Sequence, residues 1–357
     1  MTKVHNFSAG PGILPAEVLK GAAEACINFD NLNLSLLEIS HRSKNYEKVM
    51  DDARNIIKEL FEVGDEYEVI YLGGGASLQF AMVPYNLLSE NGYAAYVNTG
   101  VWASKAIKEA SLIGKTKVIA SSEDKKFTYI PKGYEVPADA DYLHLTSNNT
   151  IYGTQMKDFP KSSIPVVCDM SSDIFSRKVD AKQFDLIYAG AQKNMGPAGS
   201  TMVMVKKSAL GKTGRKMLSM MDYNVHIKSG SMYNTPPVFP IYVTLLTLQW
   251  LKKNGGIAWI EKLNRQKSDL IYNEIDRNSL FVGTTAKEDR SDMNVCFLMN
   301  KPEMEPEFDK FWKEAGISGL RGHRDVGGYR ASLYNALPLE SVKVLVDVMK
   351  EFEKKFA

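Results

Sequence analysis

The sequence predicts an α/β fold: a large domain built on a mostly parallel sheet of the seven-stranded type, covered by helices, with a smaller α+β domain at the C-terminal end. Three observations predict it. Strand-like runs recur at Tyr67–Leu72, Tyr93–Asn98, Lys117–Ala120, Asp141–Thr146, Pro165–Met170, Asp185–Ala189 and Thr201–Lys207, with room for helices or loops between most of them. After residue 200 the character changes, and loop-rich sequence gives way to long helical patterns and isolated strands. A chain of 357 residues also exceeds what one small core organises, so two domains are expected, 16–258 and the combination of 1–15 with 259–357.

Taken in order, residues 6–15, NFSAGPGILP, carry two glycines and two prolines, which is loop chemistry ahead of a helix opening near Pro15. A polar turn at Ser40–Lys44 leads into Val49, Met50, Ala53, Ile56, Ile57, Leu60 and Phe61 at helical spacing. The strand Tyr67–Leu72 runs into Gly73, Gly74, Gly75, Ala76 and Ser77 before a helical LQFAMVPYNLL. Strand, glycine turn and helix N-terminus together bind phosphate, through free backbone N–H groups and the positive end of the helix dipole. No Gly-Lys-Ser/Thr follows and the GxGxxG register is missing, so this is neither a P-loop nor a dinucleotide fingerprint. A glycine turn chosen for packing is the alternative.

Mostly parallel sheets gather functional groups at the carboxyl ends of their strands. The Gly73–Ser77 turn, Trp102, Thr150, Asp169 and Lys193 all fall there. Beyond residue 200, Asn234 and Thr235 precede Pro236-Pro237, and a helix covers Ile241–Lys253. Gly255 and Gly256 break that helix, which resumes over Trp259–Arg277; strand Met293–Met299, helix Glu307–Ala315, strand Ala331–Tyr334 and helix Leu339–Lys355 complete the chain.

Composition narrows the function classes. Lys+Arg 44 against Asp+Glu 42 leaves a net charge of +2, which argues against a nucleic-acid surface spread over the molecule, so any cationic site is local. Cys26, Cys168 and Cys296 lie far apart without CxxC spacing, as reduced core cysteines of an intracellular protein do, and no metal is expected. The longest nearly apolar run, Ile241–Leu251, is interrupted by Thr244, Thr247 and Gln249. No membrane partner is expected, and a cytoplasmic location is.

Lys193 stands at a strand end between Gln192 and Asn194, ahead of Gly196, Pro197 and Gly199. An amine held there, desolvated or beside another cation, loses its proton readily and attacks carbonyl carbon, which is the requirement of Schiff-base chemistry. A surface lysine in a hairpin is the alternative. Asp169 follows an apolar strand, so its carboxylate needs a cationic partner, which a protonated pyridine nitrogen, an arginine or a helix N-terminus would each supply. Trp102 serves as a stacking ring or as core. The pairs His41-Arg42 and His323-Arg324, with Arg321 and Arg330 near the second, fit an anionic substrate with two separate charged groups; surface salt bridges are the alternative.

The motifs FSAGPGILP, SHRS, GGGASLQFAMVPYNL, NTGVW, SNNTIYGTQ, CDMSS, AGAQKNMGPAG, YNTPP and GHRDVGGYRASLYNA, in this order, closely resemble the phosphoserine aminotransferases among the pyridoxal-phosphate-dependent enzymes of fold type I. The resemblance covers nearly the whole chain. It implies pyridoxal 5'-phosphate as cofactor, with Lys193 as the Schiff-base lysine, Asp169 as partner of the ring nitrogen, Trp102 as stacking residue and Thr150 beside the phenolic oxygen. Ala76, Ser77 and Gln192 match the phosphate cradle, completed by Asn234 and Thr235 from a neighbouring subunit, which makes a homodimer the expected assembly. His41, Arg42, His323 and Arg324 match the pocket for the substrate phosphate or the distal carboxylate of glutamate, and Arg330 matches the α-carboxylate clamp.

The reaction that the resemblance implies is a ping-pong exchange of 3-phosphohydroxypyruvate and L-glutamate with O-phospho-L-serine and 2-oxoglutarate, in serine biosynthesis. The related 3-hydroxy-2-oxo-4-phosphonooxybutanoate of pyridoxine biosynthesis has the same two anionic ends and is a second substrate to consider. Another class V aminotransferase is the first alternative; a nucleotide-binding protein built on the glycine turn is the distant one, and it leaves Lys193, Asp169 and both His-Arg pairs without a task.

Overall fold

The computed structural model describes residues 4–357, so the first three residues of the expected N-terminal arm lie outside the described residues. The chain opens with β1 (His5–Asn6), α1 (Ala16–Ile27) and α2 (Lys44–Leu60). A seven-stranded sheet comes next, made of β2 (Tyr67–Leu72), β3 (Tyr93–Asn98), β4 (Lys115–Ser121), β5 (Tyr142–Thr146), β6 (Val166–Asp169), β7 (Leu186–Gly190) and β8 (Thr201–Lys206) in the spatial order β2-β8-β7-β6-β5-β3-β4. Strands β7, β6, β5, β3 and β4 are parallel, while β8 runs against both of its neighbours, β2 and β7. The expected mostly parallel sheet is the one found.

Every residue of β5, β6 and β7 is buried, as happens when helices cover both faces. Side-chain alternation sorts the two faces. Tyr188, Val203 and Val167 pack with Phe80 and Val83 of α3 (Gly75–Leu87) and Ala106 of α4 (Val101–Ser111). Ile187, Met204 and Cys168 pack on the other side with Met50 and Ile57 of α2 and Ile241 of α6 (Val238–Lys253). Each such large apolar side chain, fully buried, contributes roughly 1.5–3 kcal/mol.

A second core lies between α7 (Gly256–Arg277), α8 (Glu305–Glu314), α9 (Leu339–Phe356) and an antiparallel sheet of order β12-β10-β9, formed by β9 (Phe281–Gly283), β10 (Asn294–Met299) and β12 (Tyr329–Ser332). Phe281, Phe308, Tyr329 and Phe352 fill it with edge-to-face and tilted ring contacts. Strand β1 pairs in parallel with β11 (Ile317–Ser318), tying the N-terminal arm to this core. Helix α7 belongs to both cores, through Ile260 at one end and Ile271 and Ile275 at the other.

Some elements differ from expectation. α7 starts at Gly256 rather than Trp259, because Gly255 and Gly256 both take positive φ and turn the chain tightly from one helix into the next. A short helix, α5 (Tyr223–Lys228), capped by the Asp222 side chain, sits in the stretch expected to be loop. The last strand is Tyr329–Ser332 rather than Ala331–Tyr334, since the β10 ladder ends at Ser332. Among the described residues no helix is long and apolar enough to cross a membrane.

Candidate active site

Lys193 leaves the end of β7 in the turn Ala191–Ser200 that returns the chain as β8. The turn is closed by Ala191 N–H to Ser200 O at 3.0 Å and by Met195 and Gly196 N–H to Ala191 O at 3.1 and 2.8 Å. From the arm, Gly12 N–H donates to Gln192 O at 2.7 Å, and the Lys193 stem lies 3.6 Å from where a Cβ on Gly10 would sit. Below the turn, Asn194 accepts from Asn335 N–H at 2.9 Å and donates to Ile174 O at 3.1 Å. The lysine backbone is therefore held from two sides.

Its amine donates to Thr150 Oγ1 at 2.8 Å and stands 5.9 Å from the centre of the Trp102 ring. Lost solvation lowers the Lys193 pKa to about 8; Asp169 opposes this shift and the Arg330 guanidinium adds to it. Thr150 is placed by a loop after β5 that Asn149 closes, with its side-chain amide donating to Thr154 Oγ1 and its backbone N–H donating to Thr154 O, both at 2.8 Å. Arg330, in β12, donates to Thr150 O at 3.3 Å and keeps a buried Nε without a partner.

Asp169 is the last residue of β6 and is buried. One carboxylate oxygen accepts from Ser171 N–H at 2.9 Å. Burial raises its pKa, with Ser171 and Lys193 acting in the other direction. At the end of β2, three places along the sheet from β6, α3 begins without a side-chain cap from the positive-φ Gly74, and open space stands where Cβ atoms on Gly73 and Gly75 would be. Ala76 and Ser77 form the first turn of this helix, so its N-terminal N–H groups remain free for an anion.

A cavity of about 440 Å³ brings together Trp102, Thr150, Gln192, Lys193, His323 and Arg330, with Gly75 at its edge. Other residues singled out in the sequence lie apart from it. His41 and Arg42 precede α2, Asn234 and Thr235 are exposed before α6, and Arg324 is 90% exposed with its Nε 3.7 Å from Asp325. None of these five lines the cavity. Asn194, Tyr334 and Asn335 support it as well; Tyr334 and Asn335 are polar groups between Leu333 and Ala336-Leu337, the one signal in the sequence, while Asn194 follows Gln192 and Lys193 and carries none.

Residues 4–345 match the family described as aminotransferase class-V. The chain is 63% identical over 354 residues to a phosphoserine aminotransferase of Flavobacterium johnsoniae, covering 99% of both chains. It belongs to the phosphoserine aminotransferases of aminotransferase class V.

Solved structures of this family superpose closely. One from Bacillus circulans subsp. alkalophilus is 44% identical with a TM-score of 0.97 over 99% of both chains. A structure described as PLP-bound phosphoserine aminotransferase from Trichomonas vaginalis is 33% identical with a TM-score of 0.92, covering 98% of this chain and 100% of that one. The family's cofactor is pyridoxal phosphate, and the residues present fit it. Asp169 offers a buried carboxylate that no cation reaches within salt-bridge distance among the described residues, Trp102 offers a ring face beside the lysine, and the α3 turn offers uncapped N–H groups.

Proposed function

We propose that this phosphoserine aminotransferase transfers the amino group of L-glutamate to 3-phosphohydroxypyruvate, giving 2-oxoglutarate and O-phospho-L-serine, with Lys193 as the catalytic residue. The observation that carries the reading is the Lys193 amine, held 2.8 Å from Thr150 Oγ1 in one cavity with the Trp102 ring, His323 and Arg330. Bound pyridoxal phosphate supplies a carbonyl that takes up the amino group and a ring that accepts electron density.

This chain's residues do the rest. Asp169 would hold the ring nitrogen, Trp102 the ring face, Thr150 the phenolic oxygen, and Ala76, Ser77 and Gln192 the phosphate. Lys193 Nζ takes the proton leaving substrate Cα and later returns one; its lowered pKa leaves roughly a tenth of the amine free at pH 7, far more than an ordinary lysine. Arg330, planar and always charged, pairs with the α-carboxylate in bidentate fashion. His323, which lines the cavity, faces the distal anionic group, and Arg324, exposed beside it, would have to turn inward to join it.

His41, Arg42, Asn234 and Thr235 lie outside the cavity of their own chain, which supports a homodimer in which they complete the neighbour's site. The meeting of the two cores along α7 supports a domain division near residue 258. Lys193→Ala tests the assignment: turnover and the near-visible absorbance band of the purified holoenzyme should both vanish, and a yellow, active variant would overturn it. Rates with phosphorylated against unphosphorylated keto acids test the substrate class.

A further inference from the structure

The mechanism leaves one buried amine unused. Lys267, midway along α7, is 0% exposed, a rare state for lysine unless it is paired with a carboxylate. Here no carboxylate pairs with it among the described residues; Nζ donates instead to the carbonyls of Leu333 at 2.7 Å and Tyr334 at 3.0 Å. Desolvation lowers its pKa to about 7. A leucine or methionine would fill such a place without this penalty, so the amine is there for the two carbonyls.

Those carbonyls follow the end of β12, where Leu333 N–H to Met293 O at 2.7 Å is the last main-chain tie of the segment to the β10 side. One turn before Lys267 on the same face of α7, Asn264 donates to Asn335 Oδ1 at 2.8 Å and to Ser176 O at 3.0 Å. Asn335 passes the restraint on: its N–H donates to Asn194 Oδ1 at 2.9 Å and its side-chain amide to Phe175 O at 2.9 Å. Asn194 is the residue after Lys193. A second branch runs through Tyr334, whose hydroxyl donates to Ala9 O at 2.6 Å in the arm that covers the Lys193 stem. Both branches begin at the segment that Lys267 grips, and both end beside Lys193, at Asn194 and at Ala9.

We propose that Lys267 is a positioning residue for the transamination, fixing through Leu333–Asn335 the turn and the arm that orient Lys193. The proposal rests on the aminotransferase reading. Lys267→Met keeps the bulk of the side chain and removes the donors. In the holoenzyme the near-visible band should still form, because Lys193 is intact, but its apparent pKa should shift and kcat should fall about tenfold with the glutamate KM within about twofold. In the apoprotein, hydrogen exchange at the Asn335 amide should accelerate, and Lys267→Gln, which retains donors, should recover part of each change.

A Lys267→Met enzyme that melts at lower temperature yet keeps wild-type band titration, kcat and Asn335 exchange would reduce Lys267 to a purely structural group and overturn the proposal. Should that variant not accumulate folded, Asn194→Ala combined with Tyr334→Phe removes the acceptor of the Asn335 N–H and the hydroxyl to Ala9, cutting both branches, and wild-type kcat and band titration in it would overturn the proposal equally. Absence of any band in the wild-type protein would defeat the aminotransferase reading instead, with Asn335 exchange still deciding the coupling.

Discussion

Lys193 Nζ and Thr150 Oγ1 are 2.8 Å apart, so the nucleophilic amine of one strand end is held by a hydroxyl delivered from another. The Thr150 carbonyl in turn accepts from Arg330 at 3.3 Å. One loop residue thus fixes the spacing between the amine and the guanidinium proposed to bind the substrate carboxylate.

Replacing that hydroxyl isolates its contribution. Thr150→Val keeps the shape and removes the acceptor; a hydrogen bond to a charged group is worth about 1.5–3 kcal/mol, so kcat should fall about tenfold or more. Thr150→Ser should restore most of it. Steady-state kinetics with glutamate measure both, and equal rates in the valine and serine variants would remove Thr150 from the chemistry.

The lowered Lys193 pKa has a direction that kinetics can read. Free amine is the nucleophile, so capture of pyridoxal phosphate by the apoprotein should speed up about tenfold per pH unit below about 8 and level off above it. Stability has the same sign: from about pH 8 toward the unfolded value near 10.4 the unfolded chain binds the proton that folded Lys193 does not, so apoprotein stability gains with rising pH. Stopped-flow absorbance checks the first statement, and a rate still climbing at pH 10 would return Lys193 to ordinary lysine behaviour.

Asp169 gives stability and activity opposite signs. Burial raises its pKa, so the folded apoprotein loses stability as pH rises from the unfolded carboxyl range through the folded pKa. Asp169→Asn should therefore raise the apoprotein melting temperature at neutral pH, by roughly 2 °C, while turnover falls about 100-fold or more. The melting difference should close in acid. Paired calorimetry and kinetics test this, and an asparagine variant that is both less stable and fully active would refute it.

How much of the site was legible in the sequence depended on where a residue's position is decided. Trp102, Thr150, Asp169 and Lys193 were readable because strand ends of a parallel sheet share one rim, and the sheet itself was legible in spaced apolar runs. Strands β1, β9 and β11, of two or three residues, are too short for any period to show. Lys267 lies hidden in RQKSD, a polar run that reads as a solvated helix face; the carbonyl nearest its amine, that of Leu333, is 66 residues away in the chain. His41, Arg42, Asn234 and Thr235 lie outside the cavity of their own chain, a placement that local sequence does not reveal.

The arm over Lys193 gives the last prediction. A Cβ on Gly12 would meet Tyr334 Cδ2 at 2.8 Å and Lys193 O at 3.0 Å, so Gly12→Ala must push the arm away from Tyr334 or the lysine turn out of place. Overpacking of this kind costs about 1–3 kcal/mol, and the shift falls on the proposed catalytic residue itself, so melting temperature and kcat should drop together. Gly21→Ala is the matched control. In α1 its Cβ would meet the flexible tip of Leu246 at 3.3 Å, and the gain in helix propensity, up to about 1 kcal/mol, should appear as higher stability with unchanged turnover. If Gly12→Ala also left turnover unchanged, the arm would be a covering that Lys193 does not need, and the Tyr334 branch from Lys267 would lose its end point.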